Sequence, residues 1–242
     1  MAAKQSAKSK DRRPNVVRNA STRPKGFYAI LVLIAVVGAS ILAYTMSRKP
    51  TTAATPPLTA NPANAGPPRG YLIGKPDAPV QIIEFADFEC PACGRFATIT
   101  EPDVRMRIVD AGLASFTYYD FPLPQHLNSQ PASNAAACAD EQGKFWPMHD
   151  QLYGAQDQWN TQATDNPKPM FMKYASAVGL DMAQFESCYD ARKHQNRILA
   201  NLAEGARRRV NSTPTFIVGD RQVSNALSYD ELKAMVDEAA KK

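Results

Sequence analysis

The chain has 242 residues, 44% of them hydrophobic, 21% charged and 9% aromatic, which supports a domain with a real core and argues against a disordered polymer. Its formal charge of +5 invites a polyanion-binding reading until the charges are placed. Residues 1–69 hold eleven of the 28 Lys and Arg and one of the 23 Asp and Glu, leaving 17 bases against 22 acids, about −5, from residue 70 onward; an acidic folded part argues against a phosphate-binding groove and against nucleic acid as a partner.

Residues 27–46 read FYAILVLIAVVGASILAYTM, without a charge. At ~1.5 Å rise per residue the run spans about 30 Å, the thickness of a bilayer's hydrocarbon. Eight Lys and Arg precede it, and only Arg48 and Lys49 follow before a long neutral stretch. The positive-inside bias therefore places a basic tail, residues 1–26, in the cytoplasm and sends the remainder across the inner or plasma membrane. A cleaved signal peptide is the rival, with Val37-Gly38-Ala39 or Ile41-Leu42-Ala43 as cleavage sites. The run exceeds the usual ~7–15 residues of a signal peptide's apolar region, which favours an uncleaved single-pass anchor. Residues 47–70 carry six prolines among Thr, Ala and Asn, a composition that cannot bury apolar surface and reads as an extended spacer. Residues 71–242 are then one domain by length.

Within that domain, residues 80–85 are apolar enough for a buried strand. Ala86-Asp-Phe-Glu89 follows, then Cys90-Pro91-Ala92-Cys93. From Gly94 to about Asp110 the apolar positions fall near helical spacing, with Pro102 as a possible bend and Gly112 as a stop. Strand, CxxC, helix is the context in which two cysteines read as a redox pair. Thiol–disulfide exchange needs a thiolate, and a free cysteine titrates near ~8.5. The unpaired N–H groups and dipole at a helix N-terminus stabilise that anion. Cys90 is thus the expected nucleophile and Cys93, one turn on, the resolving thiol. Pro91 suits the first helical turn, where its missing N–H costs nothing. Half of a zinc site is the bland alternative. It lacks ligands at short spacing, since Cys138 and Cys188 stand singly and His126, His149 and His194 form no pair with them. Glu84, six residues before Cys90, has two readings: a desolvated carboxyl that shuttles protons to Cys93, or a strand-end acid facing solvent.

At IIEFADFECPAC, with Ser212-Thr213-Pro214-Thr215-Phe216 far downstream, the chain resembles the DsbA-like branch of the thioredoxin superfamily. The match extends through Gln142-Gly-Lys-Phe-Trp146, Met148, His149 and Asp150, and through Gly179-Leu180-Asp181. The resemblance implies an α/β thioredoxin fold with an inserted helical domain at about residues 126–205. On that frame residues 114–119 and 215–218 are the second and third core strands. Residues 221–223 return as a hairpin after Gly219-Asp220, and residues 229–240 are a closing helix capped by Ser228. It also implies a cis-proline loop at Thr213 and Pro214 that faces the CxxC and, with Pro91 and Ala92, binds the client. There Pro214, lacking an N–H, opposes metal capture, and the Thr213 backbone pairs with an extended client peptide. In many relatives, cysteines placed like Cys138 and Cys188 bridge helices of the insertion; a loop of about fifty residues would contribute roughly 3–4 kcal/mol by chain entropy. A second redox couple at those two positions is the competing idea, without a local activating feature to support it.

The expected activity is extracytoplasmic (periplasmic) thiol:disulfide oxidoreduction, oxidising cysteine-containing exported proteins through Cys90 and Cys93 with no cofactor beyond that disulfide and no metal. A membrane partner, DsbB-like or vitamin K epoxide reductase-like, is implied for recycling. Two features weaken the oxidising character: the Pro-Ala dipeptide lacks the histidine of the strongest oxidants, and Glu89 places a second negative charge beside Cys90. A reductase or isomerase fed by a membrane donor is therefore the first rival. A copper-handling factor using the two thiols is the second.

Overall fold

The computed structural model describes residues 25–47 and 65–242. The basic tail up to residue 24 and most of the proline-rich spacer lie outside the described residues. The first element, α1 (Lys25–Ser47), is a helix of 23 residues. Its side chains are described over residues 29–40, where Ile30, Val32 and Leu33 are all more than 60% exposed. Among the described residues no helix is long and apolar enough to cross a membrane.

The globular unit is built on a five-stranded sheet. In chain order its strands are β1 (Tyr71–Ile73), β2 (Gln81–Ala86), β3 (Ser115–Asp120), β4 (Thr215–Val218) and β5 (Arg221–Val223), in the spatial order β1-β3-β2-β4-β5. β2 is central, parallel to β3 and antiparallel to β4; β1 lies antiparallel on the outer edge of β3. Strands β2 to β5 fall within a residue of the sequence expectation. β1 was not anticipated, because three residues are too few to show a period. β4 and β5 form a hairpin through Gly219 and Asp220, and Gly219 takes the left-handed φ of +56° that the tight turn demands.

Between β2 and β3 runs one long helix of mixed pitch. α2 (Pro91–Arg95) passes into a π-helical turn (Phe96–Thr100), then α3 (Glu101–Val104) and a second π-helical turn (Arg105–Val109). Pro102 has no N–H to give and its ring crowds the preceding turn, so the backbone widens around it: Glu101 N–H donates five residues back to Phe96. This helix covers one sheet face, packing Phe96, Val104 and Ile108 on Ile82, Phe116 and Phe216. α10 (Tyr229–Ala239) joins the same cluster through Leu232 and Val236. Its start is fixed by a capping box, Ser228 and Glu231 bonding each other's backbone N–H.

The insertion between β3 and β4 holds α4 (Ser129–Asp140), α5 (Phe145–Gly154), α6 (Gln156–Trp159), α7 (Lys168–Ala177), α8 (Met182–Asp190) and α9 (Gln195–Arg207). Small Ala residues of α4 let its neighbours close on it, and Trp159, Phe171, Phe185 and Met148 fill the centre. α9 crosses the sheet's second face. A Cβ at its Gly205 would lie 2.5 Å from the Phe121 ring, so only glycine permits that approach. Arg207 and Arg208, at the end of α9, both bond Glu204 one turn back. α9 also grips the chain entering the domain. Asn201 accepts from the Arg69 N–H at 2.9 Å, Arg197 donates to the Arg69 and Gly70 carbonyls, and Ala65 is buried on Leu199 and Ala200.

Candidate active site

Cys90 is the N-cap of α2, in an extended conformation (φ −67°, ψ 121°), with Pro91 in the first helical turn. Its carbonyl accepts from the Gly94 N–H at 3.0 Å, so the helix begins under the sulfur and its free N–H groups point toward it. Both thiols are reduced. Cys90 is 7% exposed and Cys93 1%, so only the first meets solvent.

That asymmetry separates their acidities. The Cys93 thiol beside the Cys90 sulfur is the largest of several influences that outweigh partial burial; Thr213 and the N–H groups of Cys93 and Ala92 add to it, lowering the Cys90 pKa to about 5. At pH 7 such a group is roughly a hundred to one thiolate. Burial pushes Cys93 the other way, well above its ordinary value, and its neighbours Cys90 and Glu84 reinforce this. Opposite the cysteines stands the Thr213-Pro214 bond, which is cis. When protonated, Cys90 donates to the Thr213 carbonyl at 3.2 Å.

Glu84 does not face solvent. It is 2% exposed, on the β2 face that α2 and α3 cover, between Tyr118 of β3 and Phe216 of β4 in register. Burial raises its carboxyl well above the ordinary range, the charges of Glu101 and Cys90 add to that, and Arg105 opposes it. Cys90, Cys93, Glu84, Thr213, Pro214, Pro91 and Ala92 thus share one neighbourhood at the end of β2. Cys138 and Cys188 lie apart from it, joined as a disulfide between α4 and α8. His194 comes within 4.8 Å of both their sulfurs, but disulfide sulfurs carry no thiolate to offer a metal.

Two acids beside the cysteines are bonded to the helical insertion. Glu89 was read as a charge that disfavours the Cys90 thiolate. Its carboxylate is buried and bonded by the Asn128 N–H at 2.6 Å, the Thr161 hydroxyl at 2.6 Å and the Thr161 N–H. Asp87, not singled out from the sequence, accepts from the N–H groups of Glu89 and Leu123, both at 2.8 Å, and from the Ser129 hydroxyl. Asp87 also holds the His126 ring at 2.7 Å and raises its pKa. Gln156 donates to the carbonyls of Phe88 and Cys90. The loop carrying Cys90 is therefore pinned to the helical insertion from three directions. The available signal was two acids inside an apolar run; their partners, 36 to 72 residues away, were not readable.

Residues 67–238 match the family described as Thioredoxin. The chain belongs to that family. Its thioredoxin core with a helical insertion is the fold of DsbA-like proteins. The oxidised BdbD of Bacillus subtilis superposes with a TM-score of 0.64 at 22% identity, over 73% of this chain and 97% of that one. Disulfide bond formation protein D of B. subtilis is 26% identical over 202 residues, 76% of this chain and 82% of the relative. The Na(+)/H(+) antiporter NhaA 3 of Salinispora tropica is 32% identical over 217 residues, 85% of this chain. The chain spans only about a third, 32%, of that relative's length, so the antiporter name belongs to a much longer protein.

Proposed function

We propose that this protein is a membrane-tethered, extracytoplasmic oxidase of cysteine pairs in exported proteins. The observation that carries the reading is the split between the thiols: Cys90 at the rim with a pKa of about 5, Cys93 buried with its pKa raised. An acidic nucleophile stabilises the reduced form, which makes the disulfide the oxidising partner. This supports oxidation over the reductase or isomerase reading, even without a histidine between the cysteines, because Cys93 and Thr213 lower the Cys90 pKa in its place. No comparable observation favours copper handling.

On this reading the reaction runs through two exchanges. A client thiolate attacks the Cys90 sulfur of the Cys90–Cys93 disulfide, and the bond to Cys93 breaks. Cys93 leaves into a buried site and takes a proton from the Glu84 carboxyl. A second client thiolate then attacks the first client sulfur and expels Cys90, which departs readily as a stable thiolate. The client loses two electrons and the pair gains two. Glu84 is the proton donor beside Cys93, and the Thr213 carbonyl and N–H flank the client's backbone. A DsbB-like or vitamin K epoxide reductase-like membrane partner returns the pair to the disulfide.

Placement outside the cytoplasm rests on three supports: the charge bias around residues 27–46, the spacer character of residues 47–70, and the Cys138–Cys188 disulfide, a bond that persists in oxidising compartments. The deciding measurement equilibrates the chain in glutathione buffers. A potential more oxidising than about −200 mV supports the oxidase, whereas one near about −270 mV makes it a reductase. Cys93→Ala is expected to accumulate mixed disulfides with exported proteins, and Cys90→Ala none.

A further inference from the structure

A buried pair of polar groups beside Glu84 takes no part in the reaction described above. Glu101 and His149 are both 0% exposed, and each keeps one polar atom without a partner: Oε2 of Glu101 and Nε2 of His149. The two atoms face each other at 3.6 Å. Leaving such atoms unpaired is costly, so a core that keeps them calls for an explanation.

Their other atoms are well placed. Oε1 of Glu101 accepts from Arg105 Nε at 2.8 Å. Nδ1 of His149 lies 2.9 Å from an Asp150 carboxylate oxygen and 3.3 Å from Arg105 Nη2. These contacts suit opposite tautomers. With the proton on Nδ1 the ring donates to Asp150; with it on Nε2, the ring accepts from Arg105 and aims its N–H at the orphaned Glu101 oxygen. An imidazole served equally well in both states passes protons without turning.

The chain geometry brings the inner end to the thiols. Glu101 follows Cys93 by eight residues, which a plain α-helix would place ~80° round the axis. The π-helical turn Phe96–Thr100 inserts about one residue between them, turning Glu101 back by ~100° to within roughly 20° of Cys93's face. Glu84 lies on the sheet face beneath, between Ile82, which packs in the Phe96 cluster, and Ala86, which packs with Cys93. At the outer end Asp150 is 54% exposed, and with Arg105 it lines an open cleft.

We propose that Glu101 and His149 relay protons between Glu84, beside Cys93, and solvent at Asp150. The groups facing this path are Cys93, Glu84, Arg105, Asp150, and the paired hydroxyls of Tyr118 and Tyr153 at 3.3 Å. When Cys93 leaves a disulfide it gains the Glu84 proton, and Glu84 is reprotonated from Asp150 through His149 and Glu101. When Cys93 attacks a mixed disulfide, its proton leaves by the reverse route. No electron moves along the path. The proposal rests on the oxidoreductase reading.

The test mixes the reduced full-length chain in detergent micelles with oxidised glutathione in a stopped-flow instrument. Its first phase is attack by Cys90; its second, independent of glutathione concentration, is attack by Cys93 on the mixed disulfide. Glu101→Gln and Asp150→Asn are expected to slow the second phase by roughly 10- to 100-fold and to leave the first unchanged, with the loss recovered by added imidazole. Asp150 is exposed enough that Asp150→Asn keeps the test valid should Glu101→Gln misfold. Equal slowing of both phases, or an unchanged second phase in a folded variant, overturns the relay. Absence of the first phase in the wild type overturns the oxidoreductase reading instead.

Discussion

The chain holds two cysteine pairs, and they differ in nearly every respect except the element. Cys90 and Cys93 sit at a helix start, ringed by donors and by ionisable groups in the core, and are free thiols. Cys138 and Cys188 sit within α4 and α8, surrounded by alanines and aromatic rings, and are joined. Reactivity is thus conferred by backbone position. A sulfur at a helix N-terminus meets unpaired N–H groups, while one in mid-helix meets backbone already satisfied.

Exchanging parts between the two pairs sharpens the contrast. The largest effect is expected from Cys90→Ala, which should abolish client oxidation by at least about 10³-fold, measured by oxidation of a reduced dithiol peptide. The double change Cys138→Ala/Cys188→Ala should leave that rate within about twofold and cost roughly 3–4 kcal/mol of stability, since the bond closes a loop of 50 residues; urea unfolding checks this. A redox role for the second pair would show as a changed potential in that variant.

Smaller effects test the pins around the first pair. Glu89→Ala strips the Asn128 and Thr161 N–H groups of their buried acceptor and should destabilise by about 1–3 kcal/mol, with little change in Cys90 acidity. The smallest effect is a titration. Alkylation of Cys90 should follow a midpoint near pH 5. Because this pKa is depressed in the folded, reduced protein, the stability it contributes is present above the unfolded value near ~8.5 and is lost as pH falls toward 5. Thermal melts of the reduced chain, compared with Cys90→Ala, should converge on acidification.

The parts legible in the sequence were those specified locally. The β2 strand, the CxxC at a helix start, the β4–β5 hairpin and the Ser228 cap each depend on a few adjacent residues. The order of the two long core strands around a helical insertion followed from spacing and family resemblance. What stayed hidden depends on distant partners. β1 gains its identity by pairing with β3, and Asp87 and Glu89 gain theirs from the insertion. The apposition of Glu101 with His149 needs both a π-helical turn and a helix 48 residues on. Glu84 was ambiguous because alternation along β2 fixes its face but not what covers that face; the long helix with Arg105 and Glu101 decides it.

The grip of α9 on Arg69 and Gly70 has a mechanical corollary. A tug on the chain upstream of Ala65 is borne first by the side chains of Arg197 and Asn201 and by the hydrophobic seat on Leu199, ahead of the edge strand β1. Force entering at Arg69 therefore meets α9 before it meets β1 and, beyond it, the central strand that leads to the sulfurs.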